Sequence, residues 1–162
     1  MPVSEKEYIC VADRAAELGC HVPTGLAIMP KNFDTAATRQ EFIVRGEGST
    51  IRTLFRSKKL PLEDFLPSGE RPRFVHNKSH DWAAFIFVSA ALLANDPSAV
   101  TVALGIISNY LTDIFKGTPD KKIKLDVAVE RRGDHICKKL TYEGDAAGLA
   151  QIADTVLRIA DE

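Results

Sequence analysis

The chain has 162 residues, of which 45% are hydrophobic and 27% charged, and its 21 basic and 22 acidic side chains leave a formal charge of −1. These values predict one soluble globular domain over residues 1–162 and exclude disordered, collagen-like, coiled-coil and disulfide-scaffold proteins. Three cysteines without a CxxC spacing form neither a disulfide framework nor a four-ligand zinc site, so we expect a cytoplasmic protein without metal or other cofactor.

The N-terminal segment is predicted to be helical. Ser4 and Glu7 have the spacing of a capping box, in which each side chain satisfies an amide at the start of a helix. Apolar residues then recur at three- and four-residue steps until Gly19, which is a suitable C-terminal stop. This stripe comprises Tyr8, Val11, Ala12, Ala15 and Leu18.

Two strands and a basic helix are predicted to follow. Short apolar runs at residues 26–29 and 41–45 are bounded by proline and glycine, as is typical of strands. From Ser49 or Thr50 to about Leu60, apolar and basic residues alternate with helical spacing. The proline-rich residues 61–72 then predict a polar loop.

The middle of the chain contains one ambiguous segment and one clear helix. Residues 82–94 begin with aromatic and β-branched residues and end with good helix formers, so we predict a strand and keep a buried helix as the alternative. Asp96 followed by Pro97 marks a helix start, and the apolar face that follows predicts a helix to Phe115.

The C-terminal part combines a β-hairpin with a helix. Apolar and polar residues alternate over 123–130 and again up to Tyr142, which predicts a hairpin over 122–142 with one buried face. Residues 145–160 then have the apolar spacing of a helix. The fold class is therefore α/β or α+β: a single domain with a central mixed sheet and a C-terminal antiparallel hairpin, packed by N-terminal, central and C-terminal helices.

A glycine-containing segment before the basic helix is the first candidate ligand-binding site. Exposed amides at a helix N-terminus attract anions, and nearby arginines strengthen that attraction. The candidate ligand-binding residues are Gly46, Gly48, Ser49, Thr50, Arg52 and Arg56. The segment completes neither the P-loop nor the dinucleotide-binding fingerprint, and Glu47 would repel a phosphate. A tight turn with a solvated helix face explains the same residues without any ligand.

The second candidate is a catalytic group of His76, His80 and Asp81. A carboxylate near a histidine is the arrangement in which the histidine acts as a general base. Two histidines four residues apart can hold a metal on a helix, but the segment lacks the glutamate of the zincin pattern, so no metal site is assigned. An ordinary surface loop with two histidines is the alternative explanation.

A third candidate pair is His135 and Cys137. Alternate residues of a strand share a face, so the two side chains could act together in nucleophilic chemistry. The predicted hairpin places both on its outward side, together with Lys139 and Thr141. We therefore interpret the cysteines as small apolar fillers or surface thiols.

The sequence supports three hypotheses about function. The sequence favours a non-enzymatic binding or accessory domain that contacts another protein or a second copy, because no catalytic motif is complete and the hairpin suggests an exposed sheet edge. The alternative is an enzyme or ligand sensor for a phosphate-bearing small molecule, with His76, His80 and Asp81 near the turn at Gly46–Arg56. A weaker alternative is nucleic-acid binding through the basic segment 45–78, since residues 31–80 carry ten basic and six acidic side chains. No apolar segment is long enough and free enough of polar residues to predict a membrane span.

Overall fold

The computed structural model describes residues 3–75, 82–117 and 122–162. Five strands form the main sheet, namely β1 (Val3–Tyr8), β2 (Leu26–Ile28), β5 (Trp82–Val88), β6 (Ile123–Glu130) and β7 (Cys137–Gly144). Two short strands, β3 (Ile43–Arg45) and β4 (Arg73–Val75), form a separate parallel pair. The helices are α1 (Val11–Glu17), α2 (Glu47–Ser57), α3 (Ala90–Asn95), α4 (Ser98–Ile114), α5 (Ala146–Leu149) and α6 (Ala153–Ala160), with 3-10 turns at Arg39–Glu41 and Ala150–Ile152.

The main sheet has the strand order β1-β7-β6-β5-β2 and is mixed. β5 and β6 are parallel, whereas β1–β7, β6–β7 and β2–β5 are antiparallel. A parallel pair needs a crossover connection, and α3 and α4 lie between β5 and β6 in the chain. The predicted fold class is confirmed as α+β with a central mixed sheet.

The predicted helix at the N-terminus is wrong for its first half. Residues 3–8 form β1, and α1 begins only at Val11. β1 pairs with β7 in unbroken register from Val3↔Tyr142 to Tyr8↔Cys137, so backbone hydrogen bonds to a distant strand replace the capping box that Ser4 and Glu7 suggested. Tertiary pairing outweighs the local pattern here because β7 offers a full strand edge.

β1 also removes the exposed edge that the sequence suggested. β6 and β7 pair antiparallel along their whole lengths. β1 covers the outer side of β7 and β5 covers the outer side of β6, so both strands lie inside the sheet. The prediction of a free edge at residues 122–142 is therefore wrong, and the segment that covers it is the one misassigned to a helix.

The ambiguous segment 82–94 contains both predicted structures in succession. Its first part is β5, in which all seven residues are buried. Ser89 then caps α3, since its side chain accepts a hydrogen bond from the Leu92 amide. The predicted strand is confirmed for the first half, and the helix alternative holds for the second. The helix predicted from Asp96 to Phe115 corresponds to α4.

The central strands of the sheet are buried on both faces, with all seven residues of β5 and seven of the eight residues of β6 buried, contrary to the one-sided burial predicted for 122–142. One face packs against the aliphatic side chains of α2, α4 and α6, while the other is covered by α1 and by loop residues including Phe33, Phe42 and Phe65. Two polar residues of β6 on the loop side are buried, and both have hydrogen-bond partners. Asp126 accepts a hydrogen bond from the Thr141 hydroxyl at 2.6 Å, and Glu130 accepts one from the Ala90 amide at 2.8 Å.

Candidate functional site

The glycine segment is the start of a helix rather than a turn before one. α2 begins at Glu47, two or three residues earlier than predicted, and ends at Ser57. Gly48 is buried in the first helical turn, where a Cβ atom would lie 3.0 Å from Val44 Cγ1 and 3.1 Å from Ile28 Cγ2. The close approach of α2 to the strands thus explains this glycine without any ligand.

A cleft nevertheless lies next to the glycine segment and basic helix that we predicted to bind a ligand. It has a volume of about 590 Å³ and runs between α2 and residues 64–72. Four of the six predicted ligand-binding residues line it, namely Gly48, Ser49, Arg52 and Arg56. Gly46 and Thr50 do not line it; the Gly46 amide donates to the Val75 carbonyl at 2.9 Å and so joins α2 to β4.

The walls of the cleft combine aromatic and charged side chains. Its apolar lining includes Ile28, Phe42, Val44, Phe65 and Phe74. Its charged lining consists of Arg52, Arg56, Arg71, Asp64 and Glu70. Glu47, which the sequence suggested would repel a phosphate, does not line the cleft. Glu47 therefore does not contact the space directly, although its charge lies one residue from the lining residue Gly48.

The two carboxylates of the cleft are each paired with an arginine. Arg52 on α2 forms a hydrogen-bonded ion pair with Asp64 on the facing loop. Glu70 accepts hydrogen bonds from Arg39, with Nε–Oε1 at 3.0 Å and Nη2–Oε2 at 3.1 Å. The sequence indicated only Glu47 as an acid near the glycine segment and did not predict the Arg52–Asp64 pair across the cleft.

Among the described residues, Arg56 and Arg71 are the arginines of the cleft that have no carboxylate partner. Within residues 3–75, 82–117 and 122–162, no carboxylate lies within ion-pair distance of either guanidinium. Both side chains are exposed at the cleft. The cleft therefore presents two uncompensated positive charges next to an aromatic surface.

Arg39 does not line the cleft but binds Glu70 in the loop that forms one wall of it. Its Nη1 atom also donates to the Leu18 carbonyl at the end of α1, at 3.2 Å. The hydrogen bond with Glu70 raises the pKa of the Arg39 guanidinium, so this side chain stays charged. A Cβ atom on Gly19, whose φ is +70°, would lie 2.7 Å from Arg39 Nη1. The glycine predicted as a helix stop thus also leaves room for this arginine.

A second, shallower cavity of about 270 Å³ lies on the outer side of α2. It shares Arg52 and Arg56 with the cleft and adds Lys59, and no acidic residue lines it. The basic face predicted for this helix is therefore confirmed at Arg52 and Arg56, whereas Lys59 lies beyond the helix end at Ser57. Positive charge extends from the cleft along the helix surface.

His76, His80 and Asp81 lie outside the described residues. Val75, the last residue described before them, pairs with Arg45 at the start of the α2 segment. The catalytic hypothesis required these three residues to converge with the glycine segment in one pocket, and it stays a prediction. Among the described residues, no three His, Cys, Asp or Glu side chains are grouped so that they could hold a metal ion.

Sequence reasoning missed several residues that form the cleft. Phe42 and Phe65 are buried, and Arg71 supplies one of the two unpaired cations, yet none was singled out. The proline-rich stretch 61–72 was taken only as a polar loop, although its single aromatic residue, Phe65, is the kind of side chain that anchors a loop on a core.

No family model, curated protein or solved structure matches this chain. In the part of the chain that the structure describes, no helix is both long enough and apolar enough to cross a bilayer. The cleft is therefore the feature from which a function can be inferred.

Proposed function

We propose that the protein is a binding domain whose cleft takes a small phosphate-bearing molecule with an aromatic portion. The observation that carries this proposal is the pairing of charges in the cleft. Asp64 and Glu70 each have an arginine partner, which leaves Arg56 and Arg71 to attract an anion. Phe74, which also lines the cleft and is 46% exposed, offers a surface for a flat ring.

The dimensions and chemistry of the cleft suit such a ligand. Small-molecule sites in proteins have volumes of roughly 300–1,000 Å³, with mainly apolar walls and a few polar groups. Arginine presents a planar fork of donors that matches phosphate oxygens, and its charge persists at neutral pH. Ser49 lines the same space and adds a hydroxyl group that can donate to an anion.

The proposal concerns binding rather than catalysis. The lining hydroxyl of Thr53 donates to the Ser49 carbonyl at 3.1 Å, and Asp64 is engaged by Arg52. The groups that sequence reasoning assigned to catalysis are His76, His80 and Asp81, and the proposal does not depend on them. An activity that uses these residues would be an extension of the binding role.

The test is isothermal titration calorimetry with adenosine triphosphate, inorganic phosphate and adenosine as probes. We expect the triphosphate to bind most tightly, and the combined substitution R56A/R71A to weaken it by about tenfold or more, since each lost charged hydrogen bond contributes about 1.5–3 kcal/mol. Lys58→Ala is the matched control, because Lys58 is an exposed basic residue at the C-terminal end of the same helix but lines neither cavity. Equal affinity of R56A/R71A and wild type, or no binding of any probe, would overturn the proposal.

Contact with a second copy of the chain is the second candidate function. β4 pairs with β3 in its small sheet, and its side chains Phe74 and Val75 are 46% and 41% exposed. Exposed apolar side chains next to each other are typical of protein contact surfaces. Analytical ultracentrifugation over a range of concentrations should show association that F74S/V75T removes. A wild-type monomer at all concentrations contradicts this candidate.

Nucleic-acid binding through residues 45–78 is the weaker alternative. Each lysine or arginine that contacts a phosphate adds about 0.9 to the slope of log affinity against log salt for duplex DNA. Arg52 is already paired with Asp64, which reduces the charge available. A near-zero salt slope for an oligonucleotide would contradict this alternative and leave the small-molecule proposal intact.

A further inference from the structure

Two cysteines far apart in the sequence meet where β1 leads into α1. Tyr8 is paired with Cys137 across the β1–β7 ladder, and Cys10 follows Tyr8 by two residues in an extended conformation. Both thiols approach one acceptor, the carbonyl oxygen of His135, with Sγ–O distances of 3.7 Å for Cys10 and 3.8 Å for Cys137. The two sulfur atoms therefore lie near each other, and both contact the same carbonyl oxygen.

The turn between β6 and β7 fixes the position of that oxygen. His135 has a φ of +60°, a left-handed conformation that is uncommon for a side-chain-bearing residue. Its amide donates to the Arg131 carbonyl at 3.2 Å, and the Asp134 carboxylate accepts from the Ile136 amide at 3.1 Å. The His135–Cys137 pair predicted on an outward strand face is therefore wrong, because His135 belongs to the turn and Cys137 points into the core.

The environments of the two thiols differ. Cys137 is 0% exposed and packs in the aromatic cluster on the loop side of the sheet, and its burial raises its pKa to about 12. Cys10 is only partly buried at the same place. A small oxidant from solution therefore reaches Cys10 first, while Cys137 is held next to it as a protected thiol.

We propose that Cys10 and Cys137 form a reversible disulfide when the protein meets a peroxide. The Cys10 sulfur attacks one peroxide oxygen, which breaks the O–O bond, releases water and leaves a sulfenic acid. The Cys137 sulfur then attacks the sulfenic sulfur, forms the S–S bond and releases the hydroxyl group, which leaves as a second water with the Cys137 proton. Two thiols are oxidised by two electrons, and the peroxide is reduced to two waters.

The backbone permits the small approach that the bond requires. A disulfide needs its Cα atoms about 4.4–6.8 Å apart, whereas diagonal neighbours on an antiparallel pair are about 7–8 Å apart. Cys10 lies beyond the last paired residue of β1, which is Tyr8, so it can move toward β7 without loss of a ladder hydrogen bond. The bond would fasten the start of α1 to the start of β7.

The third cysteine supplies an internal control. Cys20 follows the other end of α1, and a helix of seven residues is about 10 Å long. Trypsin separates the three cysteines into the peptides 7–14, 15–31 and 133–138. Each possible disulfide therefore gives a distinct pair of linked peptides.

The test is peptide mapping of the wild-type protein after hydrogen peroxide treatment without reductant. We expect the intact mass to fall by two hydrogens, the peptides 7–14 and 133–138 to be linked, and dithiothreitol to separate them. C20S should behave as wild type, whereas C10S should give no intramolecular link. Linkage of Cys10 to Cys20, cross-links between chains, or Cys10 oxidised only to sulfinic or sulfonic acid would each overturn the proposal.

A thermal melt gives an independent measurement on the same sample. The oxidised wild type should unfold at a higher temperature than its reduced form, because the disulfide closes a long loop in the unfolded chain. Peroxide should not raise the melting temperature of C10S. Equal melting temperatures for the oxidised and reduced wild type would contradict the proposed link within the fold.

Discussion

The two faces of the main sheet are covered in different ways. On the helix side, aliphatic residues of α4 and α6 repeat every three or four positions and pack on alternate residues of β5 and β6. On the loop side, one short helix and scattered aromatic residues cover the same strands, and Phe33 contacts Phe42 and Phe65 with ring centroids 5.7 and 5.0 Å apart. A regular element and an irregular loop layer thus bury the sheet almost equally well.

The difference shows where polar groups are tolerated. The loop side contains Asp126, and Lys139 Nζ lies 4.0 Å from its carboxylate and 4.8 Å from the centroid of the Phe85 ring. It also contains the Cys10–Cys137 pair. The candidate cleft lies where the two layers meet, since Ile28 and Val44 belong to the helix-side core and Phe42 and Phe65 to the loop-side core. The loop side therefore contains the buried carboxylate of Asp126 and the cysteine pair, and it forms part of the candidate cleft.

The largest expected effect tests whether the loop layer stabilises the whole fold. Phe33→Ala should lower the free energy of unfolding by about 3–5 kcal/mol, comparable with about 2–5 kcal/mol for Ile107→Ala in α4. Both residues are fully buried. Urea unfolding followed by fluorescence of Trp82, which lies in the helix-side core, measures both. If the loop layer unfolds on its own, F33A will leave the Trp82 transition unchanged.

Alkaline pH should act on the loop side through Cys137. Its pKa is raised from 9.0 to about 12 by burial, with smaller contributions from Glu130 and Cys10. The folded state holds this proton more tightly than the unfolded state, so stability is complete below pH 9 and is lost as pH rises toward 12. The loss is at most about 1.4 kcal/mol per pH unit.

The matched variant for this pH dependence is Cys137→Ala. It should flatten the decline in unfolding free energy between pH 9 and about 12, although it lowers stability at neutral pH by removing a buried side chain. Burial also raises the pKa values of Tyr8 and Tyr142, so some decline should remain. A slope identical to that of wild type would contradict the assignment to Cys137.

A smaller effect is expected at Glu130, which connects the two layers. Its carboxylate is buried and accepts the Ala90 amide at the start of α3. Glu130→Ala should cost about 1–3 kcal/mol, because a buried amide loses its partner. Glu130→Gln keeps an acceptor oxygen and should cost less. Equal losses for the two variants in urea unfolding would show that the hydrogen bond is unimportant.

Two helical glycines give the smallest and most closely matched comparison. Gly105 in α4 has no heavy atom within 4 Å of a built Cβ, so Gly105→Ala should stabilise the protein by about 0.5–1 kcal/mol. At Gly48 the added methyl group would meet Val44 and Ile28, so Gly48→Ala should destabilise by about 1 kcal/mol, as overpacking outweighs the gain in helix propensity. Differential scanning calorimetry measures the change in stability of both variants. A stabilising G48A would show that Val44 and Ile28 move aside at little cost.

The same contrast explains what could be predicted from the sequence. α4 and β6 have complete periodic patterns, so both were predicted close to their observed bounds. β1 was misassigned because its local pattern is helical and only its pairing with β7 makes it a strand. The cleft was predicted on its α2 side alone, since nothing periodic relates Phe65 or Arg71 to that helix. Loop layers are specified by tertiary contacts that a pattern does not contain.

Arg39 decides the charge of a cleft that it does not line. By neutralising Glu70 from the far side of the loop, it leaves the positive charge of Arg56 and Arg71 uncancelled. A change at position 39 alone would free a carboxylate inside the cleft and would weaken the binding of the proposed anion. A substitution that does not touch the proposed ligand would therefore change its affinity, and engineering of this cleft should begin one layer behind its wall.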